Sequence, residues 1–394
     1  MESGIWKISR VEGERIVVTQ PVVQRPLVVH TDSSRAWGGQ EIRTLTELRE
    51  MRRLGFRVGL IVPGASELAR RAAAEGIPVH AVTTFAKLNP RSWMEVFRIL
   101  KAITPTVLNT HSSEDSWMAG AIARLLRVPL IIRTRHVLAP ISSALSYNLF
   151  PHVIFTCGAT IAERIVAQRV RSGKIVVLPT GNDEHRFCFS VEKRKKVRAA
   201  YGIGEQDILV GNVGFLRRLK GHPFILQTAA AMPEQYRFMF VGDGEERSSL
   251  HAMARALGVE NRVIFTGHQE QPEDFLSAFD LCFFSSHIEE GVSQALIQSL
   301  LNGLPVLACR IASTMEPLQH VEAYRVVDYD DVPAACQGLL ELARLPRRDP
   351  ERMARQHQSI ASRYGLQGMV KVLVDTYGRH GIHACGQEPD ADRS

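Results

Sequence analysis

Short β-branched and aliphatic runs alternate with helix-spaced stretches along most of this chain, and no other feature constrains its fold as strongly. The first series of runs is Pro26–His30, Arg57–Val62, Val79–Val82, Val107–Thr110, Leu130–Ile132, Val153–Thr156 and Lys174–Leu178. Helical spacing fills the gaps, as with Ile42, Leu45, Leu48 and Met51, or in Glu67–Glu75, Ala119–Leu126 and Ala159–Gln168. A turn-rich stretch, Pro179–Phe189, interrupts the series. Past a charged helix that starts at Glu192–Arg198, a second series follows: Ile208–Val213, Tyr236–Val241, Arg262–Thr266, Asp280–Phe284, Leu304–Ala308 and Tyr324–Val327. Strands that alternate with helices of this length form parallel sheets covered on both faces. The class is therefore α/β, with two cycles of it in one chain.

Composition narrows the setting. A chain of 394 residues, 45% hydrophobic and 23% charged, is an ordinary globular protein of two or three domains. It has no apolar run long enough to span a bilayer, and its first fifteen residues lack an apolar signal core, so a cytoplasmic protein is expected. Six cysteines (Cys157, Cys188, Cys282, Cys309, Cys336, Cys385) include no CxxC pair and read as reduced core residues, not as metal ligands or disulfides. The net charge of +7 is uneven: residues 1–180 hold 24 Lys and Arg against 13 Asp and Glu, and residues 181–394 hold 24 against 28. A first half this basic suits an anionic membrane surface, a phosphorylated acceptor or nucleic acid. The reading adopted is peripheral contact with an anionic membrane surface at its inner face, and no nucleic acid.

Chemistry-bearing residues gather at strand ends, where open parallel sheets bind their ligands and helix N-termini offer free N–H groups. Gly38 and Gly39 open the helix after the first strand, and His111 follows Thr110 directly. Arg133, Arg135 and His136 form a basic cluster suited to an anionic acceptor or phosphate. In the second series, Arg217, Arg218 and Lys220 follow one strand, Gly242-Asp243-Gly244 another and Gly267-His268 a third. Asp280–Phe284 leads into a polar turn with Glu289, Glu290 and Gly291, and the helix after it stops at Asn302-Gly303. A nicotinamide oxidoreductase is disfavoured because the Gly242-Asp243-Gly244 turn has no third glycine at the required spacing.

The string EGVSQALIQSLLNGLPVLA, residues 290–308, resembles the signature of the family 4 glycosyltransferases, retaining enzymes of GT-B fold that use nucleotide-sugar donors. The resemblance implies two Rossmann-like domains with parallel sheets flanking a cleft. Residues 26–180 would form the acceptor domain and 190–350 the nucleotide-sugar domain. A closing helix over 351–380 would return to the first domain, after an N-terminal extension (1–25) and before a disordered tail (381–394). By the same resemblance Glu290 orients the transferred sugar, with Gly291 and Val292 beside it, and His111 contacts the hexose. Gly38 and Gly39 admit the diphosphate, Arg217 and Lys220 neutralise it, Gly242 borders the phosphates and His268 lies near the base. Two positions depart from the pattern: Gln298 stands where a second Glu is associated with the ribose hydroxyls, and Phe215 stands where the first Arg would be. Gln keeps hydrogen-bonding capacity but not the charge.

The implied activity is hexosyl transfer from a UDP- or GDP-sugar to a carbohydrate or lipid-linked acceptor, in cell-envelope polysaccharide or lipopolysaccharide biosynthesis. The donor is a substrate, and no metal or other cofactor is required. The departing phosphate can take the acceptor's proton, so no covalent nucleophile is assigned. Two alternatives share the fold: a catalytically inactive scaffold, motivated by Gln298 and Phe215, and a nucleotide-sugar epimerase.

Overall fold

A computed structural model describes residues 25–141, 143–288 and 291–384. The strand-like piece Ile16–Thr19, Glu289, Glu290 and Cys385 lie outside the described residues. The strands are β1 (Leu27–Thr31), β2 (Arg57–Pro63), β3 (Val79–Val82), β4 (Val107–Thr110), β5 (Leu130–Arg135), β6 (Val153–Thr156), β7 (Ile175–Val177), β8 (Ile208–Val213), β9 (Tyr236–Val241), β10 (Val263–Phe265), β11 (Leu281–Phe284), β12 (Val306–Cys309) and β13 (Tyr324–Val327). They form a seven-stranded sheet, β3-β2-β1-β4-β5-β6-β7, and a six-stranded sheet, β10-β9-β8-β11-β12-β13. Every ladder is parallel. Parallel sheets buried on both faces need apolar residues on both sides of each strand. LVVHT of β1 and LCFF of β11 meet that demand and are buried throughout.

Strand order reverses once in each sheet, between β1 and β4 and between β8 and β11. Loops leaving the carboxyl ends of strands on either side of such a reversal diverge and leave a crevice. His111 and Gly38-Gly39 belong to the first reversal, and Arg217, Lys220, Gly291 and Val292 to the second.

The helix read from Ala119 begins instead at Ser113, because the Ser112 and His111 amides donate to the Asp115 carboxylate at 2.8 and 3.0 Å and cap it. The stretch expected as one closing helix is two, Pro350–Tyr364 and Leu366–Gly378, broken at Gly365. Ile360 and Tyr364 of the first pack into the core of the second domain, whereas Met369, Leu373 and Tyr377 of the second pack into the core of the first. The chain thus crosses between domains twice at one place. Asn182 accepts from the Leu366 amide and donates its own to the Tyr364 carbonyl, both at 2.9 Å, so the two crossings brace each other. The tail expected as disordered starts by burying Ile382 and Ala384 in the first core.

Candidate active site between the two sheets

In the first domain the polar ends of adjacent strands form a continuous row. His111 Nε2 lies 2.9 Å from His30 Nδ1, and His111 Nδ1 lies 2.8 Å from His136 Nε2. His136 Nδ1 faces the Cys157 sulfur at 3.4 Å, and Arg43 Nη1 donates to that sulfur at 2.8 Å. Arg43 is itself buried and ion-paired to Glu47 one helical turn on, at 2.6 Å. These groups leave β1, β4, β5 and β6 in the sheet's spatial order, not in sequence order. The imidazoles are strung end to end and do not converge, and no metal-ligand cluster occurs among the described residues.

A neutral imidazole has one donor and one acceptor nitrogen, so the row must run in one direction. Arg43 supplies a proton toward the sulfur, which leaves the thiol hydrogen for His136. His136 then donates to His111, and His111 to His30. Burial keeps the rings neutral: His30 is held down to about 4, and His111 and His136 lie well below the usual histidine range, with Arg43 adding to the effect. Burial also pushes the Cys157 thiol up.

This row makes stability depend on pH. In the unfolded chain the three imidazoles titrate near 6.5, so between about pH 6.5 and 4 the unfolded state binds protons that the folded state refuses, and stability falls with pH. Asp115, pushed up to about 7 by burial, acts in the opposite sense over the same window, and Asp32, raised by burial, opposes the loss in the same direction. His152 and His222, each held down to about 4 chiefly by burial, add to the loss. Urea unfolding at pH 7 and pH 4.5 is expected to show this loss, and His136→Asn to flatten it by about one proton. Equal slopes in parent and variant would refute the assignment.

The basic cluster read at Arg133, Arg135 and His136 is not an open phosphate patch. Arg133 is buried, its guanidinium 3.5 Å from the Tyr147 ring centroid and bonded to Ser146 at 2.8 Å. Arg135 donates to the Val137 and Ala139 carbonyls, and His136 is in the row. Gly38 and Gly39 are ordinary in backbone, neither having positive φ. The Gly38 amide donates to Glu41 at 2.8 Å, and a Cβ at Gly39 would meet nothing within 4 Å, so that loop faces open space. The cysteine reading holds for buried Cys157, Cys282 and Cys309, whereas Cys188 is exposed.

In the second domain the loops are locked by close backbone approach. Gly242, at φ +145, would place a Cβ 2.0 Å from the Gly214 carbonyl oxygen, and its amide donates to the Gly267 carbonyl at 3.0 Å. Gly221 closes the short turn Arg218–Lys220 at φ +65 and starts the His222–Ala231 helix. A Cβ there would lie 2.2 Å from the Ser285 carbonyl oxygen. The Ser285 hydroxyl donates to the Lys220 carbonyl at 2.7 Å, so the loops after β8 and β11 are tied at the strand reversal. Arg217 lies 4.8 Å from the Phe215 ring centroid, so the ring at the aberrant position carries a guanidinium. His268 is near Asp243, which pairs with Arg247 at 2.9 Å; the sequence reading missed Arg247.

The two sides meet where the acidic turn ends. A Cβ at Gly291 would lie 3.1 Å from the His136 carbonyl, and Val292 Cγ2 reaches within 3.0 Å of one at Gly158. The Glu316 carboxylate accepts from the Ala159 amide at 3.1 Å, at the positive end of the Ala159–Ala167 helix. Gln298 donates to the Asn182 side chain at 3.3 Å and so holds the interdomain crossing. Glu290 is outside the described residues, and only the ends of its turn are placed.

Two Rossmann-like domains whose strand reversals face a shared cleft define a GT-B protein. HepE of Anabaena in complex with UDP superposes with a TM-score of 0.78 at 18% identity, covering 90% of this chain and 100% of that one. Both domains match glycosyltransferase models: "Glycosyltransferase Family 4" over residues 37–186 and "Glycosyl transferases group 1" over residues 207–344. The chain is similar to the lipopolysaccharide core biosynthesis glycosyltransferase LpsE of Rhizobium meliloti, 26% identical over 43% of this chain and 48% of that one. It is also similar to the UDP-Gal:alpha-D-GlcNAc-diphosphoundecaprenol alpha-1,3-galactosyltransferase of Escherichia coli, 23% identical over 56% of this chain and 62% of that one. The chain spans about half the length of the curated relatives it matches.

Proposed function

We propose that the chain transfers a hexosyl group, with retention, from a UDP- or GDP-sugar to a carbohydrate or lipid-linked acceptor of the cell envelope. The observation that carries this reading is the pairing of strand reversals, a cationic loop on one side and the neutral histidine row on the other. Arg217 and Lys220 would hold the diphosphate, Gly242 and His268 would border phosphate and base, and Gly38-Gly39 would admit the donor from the opposite wall. Glu290, with Gly291 and Val292, would orient the sugar. His111 would bond a hexose hydroxyl by exchanging one of its two imidazole partners. Gln298, engaged with Asn182, would give the ribose at most a weak contact.

In the transfer, the bond from the anomeric carbon to the phosphate oxygen breaks and a bond from that carbon to the acceptor oxygen forms on the same face. The acceptor's proton passes to the departing phosphate. Cations fixed on the phosphate side lower the barrier as charge develops there. Relatives support the setting: LpsE is named for lipopolysaccharide core biosynthesis, and the Escherichia coli enzyme for a lipid-diphosphate acceptor. Among the described residues no helix is long and apolar enough to cross a membrane, and the proposed location is the cytoplasmic side, at the membrane surface.

A thermal-shift and hydrolysis screen against UDP-, GDP-, ADP- and CMP-sugars tests this reading. One nucleotide is expected to stabilise the protein selectively, with slow donor hydrolysis that Glu290→Ala reduces at least about tenfold. Selective stabilisation without turnover in the parent or in Gln298→Glu would favour the scaffold, and no stabilisation by any donor would remove the site.

A further inference from the structure

An apolar groove of about 640 Å³ opens on the flank of the first domain, away from the residues of the cleft. It lies between the Pro90–Ile103 and Ser113–Leu125 helices and is walled by Leu88, Trp93, Met94, Phe97, Ile122 and Leu125. Three of these project into solvent, with Leu88 98%, Leu125 73% and Met94 50% exposed. A monomer in water has little reason to keep such a patch. The Trp93 indole N–H already donates to the Lys87 carbonyl at 2.8 Å, so the ring carries no unmet donor into an apolar phase.

Lys87 lines the groove, and the charges along the Pro90–Ile103 helix and just past the Ser113–Leu125 helix are basic but for Glu95. Lys87, Arg91, Arg98, Lys101 and Arg127 are exposed, and none forms an ion pair among the described residues. Glu95, the only acid from Lys87 to Ile103, is spent on the Thr83 amide at 3.1 Å. The Lys101 ammonium sits 5.9 Å from the Phe97 ring centroid, its stem along apolar surface and its head free to reach outward. Apolar side chains at the centre with cations around them match a bilayer interface, where acyl chains lie below anionic headgroups.

We infer that this groove and its basic rim dock the first domain on an anionic phospholipid bilayer. The inference gives the membrane contact proposed above a location, and it rests on the reading of the first domain as the acceptor side. Docked there, the protein would keep its cleft in water beside lipid-borne acceptors.

Vesicles of phosphatidylglycerol and phosphatidylcholine, set against phosphatidylcholine alone, provide the test by co-sedimentation of the full chain. Binding at least tenfold stronger to the anionic vesicles is expected, with a blue shift of tryptophan emission that Trp93→Phe diminishes. Leu88→Glu combined with Leu125→Glu should abolish binding, and each of Arg91→Gln and Lys101→Gln should weaken it roughly fivefold. Both changes are at exposed positions, so donor-induced thermal stabilisation and donor hydrolysis in vesicle-free buffer should stay at parental levels. Loss of vesicle binding with intact hydrolysis therefore separates docking from catalysis. Equal partition to neutral and anionic vesicles, or undiminished binding by the double variant, would overturn the inference. So would a concentration-dependent dimer that the double variant dissolves, because a second copy would then be the occupant.

Discussion

Lys220→Ala is expected to lower kcat for sugar transfer by roughly 10²- to 10³-fold, with a much smaller change in KM for the donor and no loss of fold. The loop bearing Lys220 leaves β8 at the strand reversal and is fixed at both ends: Gly221 fits against the Ser285 carbonyl, and the Ser285 hydroxyl holds the Lys220 carbonyl. A backbone held this way presents the Lys220 side chain from a fixed point, which limits the reorganisation needed as the diphosphate acquires charge, and that is where an electrostatic catalyst gains most. Arg217 is exposed and rests on Phe215, so Arg217→Ala should cost less and act more on KM. Steady-state kinetics with the stabilising donor decides: a Lys220→Ala enzyme with parental kcat would remove the loop from the chemistry.

The sheets were readable because parallel strands buried on both faces leave near-continuous apolar runs, and each observed strand lies within or beside such a run. The histidine row was not readable. His30 sits inside an apolar run and looks like a core residue, Cys157 looks like one more buried thiol, and His136 looks like part of a basic loop. Only the spatial order β1-β4-β5-β6 brings their ends together, and strand order is non-local information. The usable signal was a polar, ring-bearing or sulfur residue at the end of each successive strand, taken in doubly wound order. Arg133 failed for the opposite reason, since a charge at a strand end reads as solvated when Tyr147 and Ser146 in fact enclose it.

Gln298 shows how a departure from a motif can have a structural cause. Read alone it is a weakened ribose ligand. In the fold, Gln298 donates to the Asn182 side-chain oxygen and Gln294 accepts from the Asn182 side-chain nitrogen at 2.9 Å. Asn182 is also where the two crossings pair. A carboxylate at 298 could still accept from an amide nitrogen, but Asn182 presents its oxygen there, and two acceptors would face each other. The amide therefore suits the crossing as this chain has built it, and the ring of contacts from helix to linker to Gly365 keeps the domains in register.

Gly211→Ala is expected to destabilise the second domain by about 3 kcal/mol, although a single methyl is added. Gly211 lies in the middle of β8 opposite Cys282 of β11, and a Cβ there would stand 2.0 Å from Cδ2 and Cε2 of Phe279. Phe279 is fully buried in the core of the second domain, so its ring cannot swing into solvent. Relief must come from moving the ring or the strand, and a close-packed interior resists both. Thermal unfolding should fall by roughly 6–12 °C for a domain of this size. Phe279→Leu alone should also destabilise, by vacating volume, yet the pair Gly211→Ala with Phe279→Leu should be more stable than the sum of the two losses by at least about 1 kcal/mol. Strict additivity, or a shift under about 2 °C for Gly211→Ala, would show that the strand gives way more easily than its packing implies. The loop after β8 carries Arg217 and Lys220, so donor-induced stabilisation should fall in Gly211→Ala and return in the double variant, linking a core contact to the cationic end of the site.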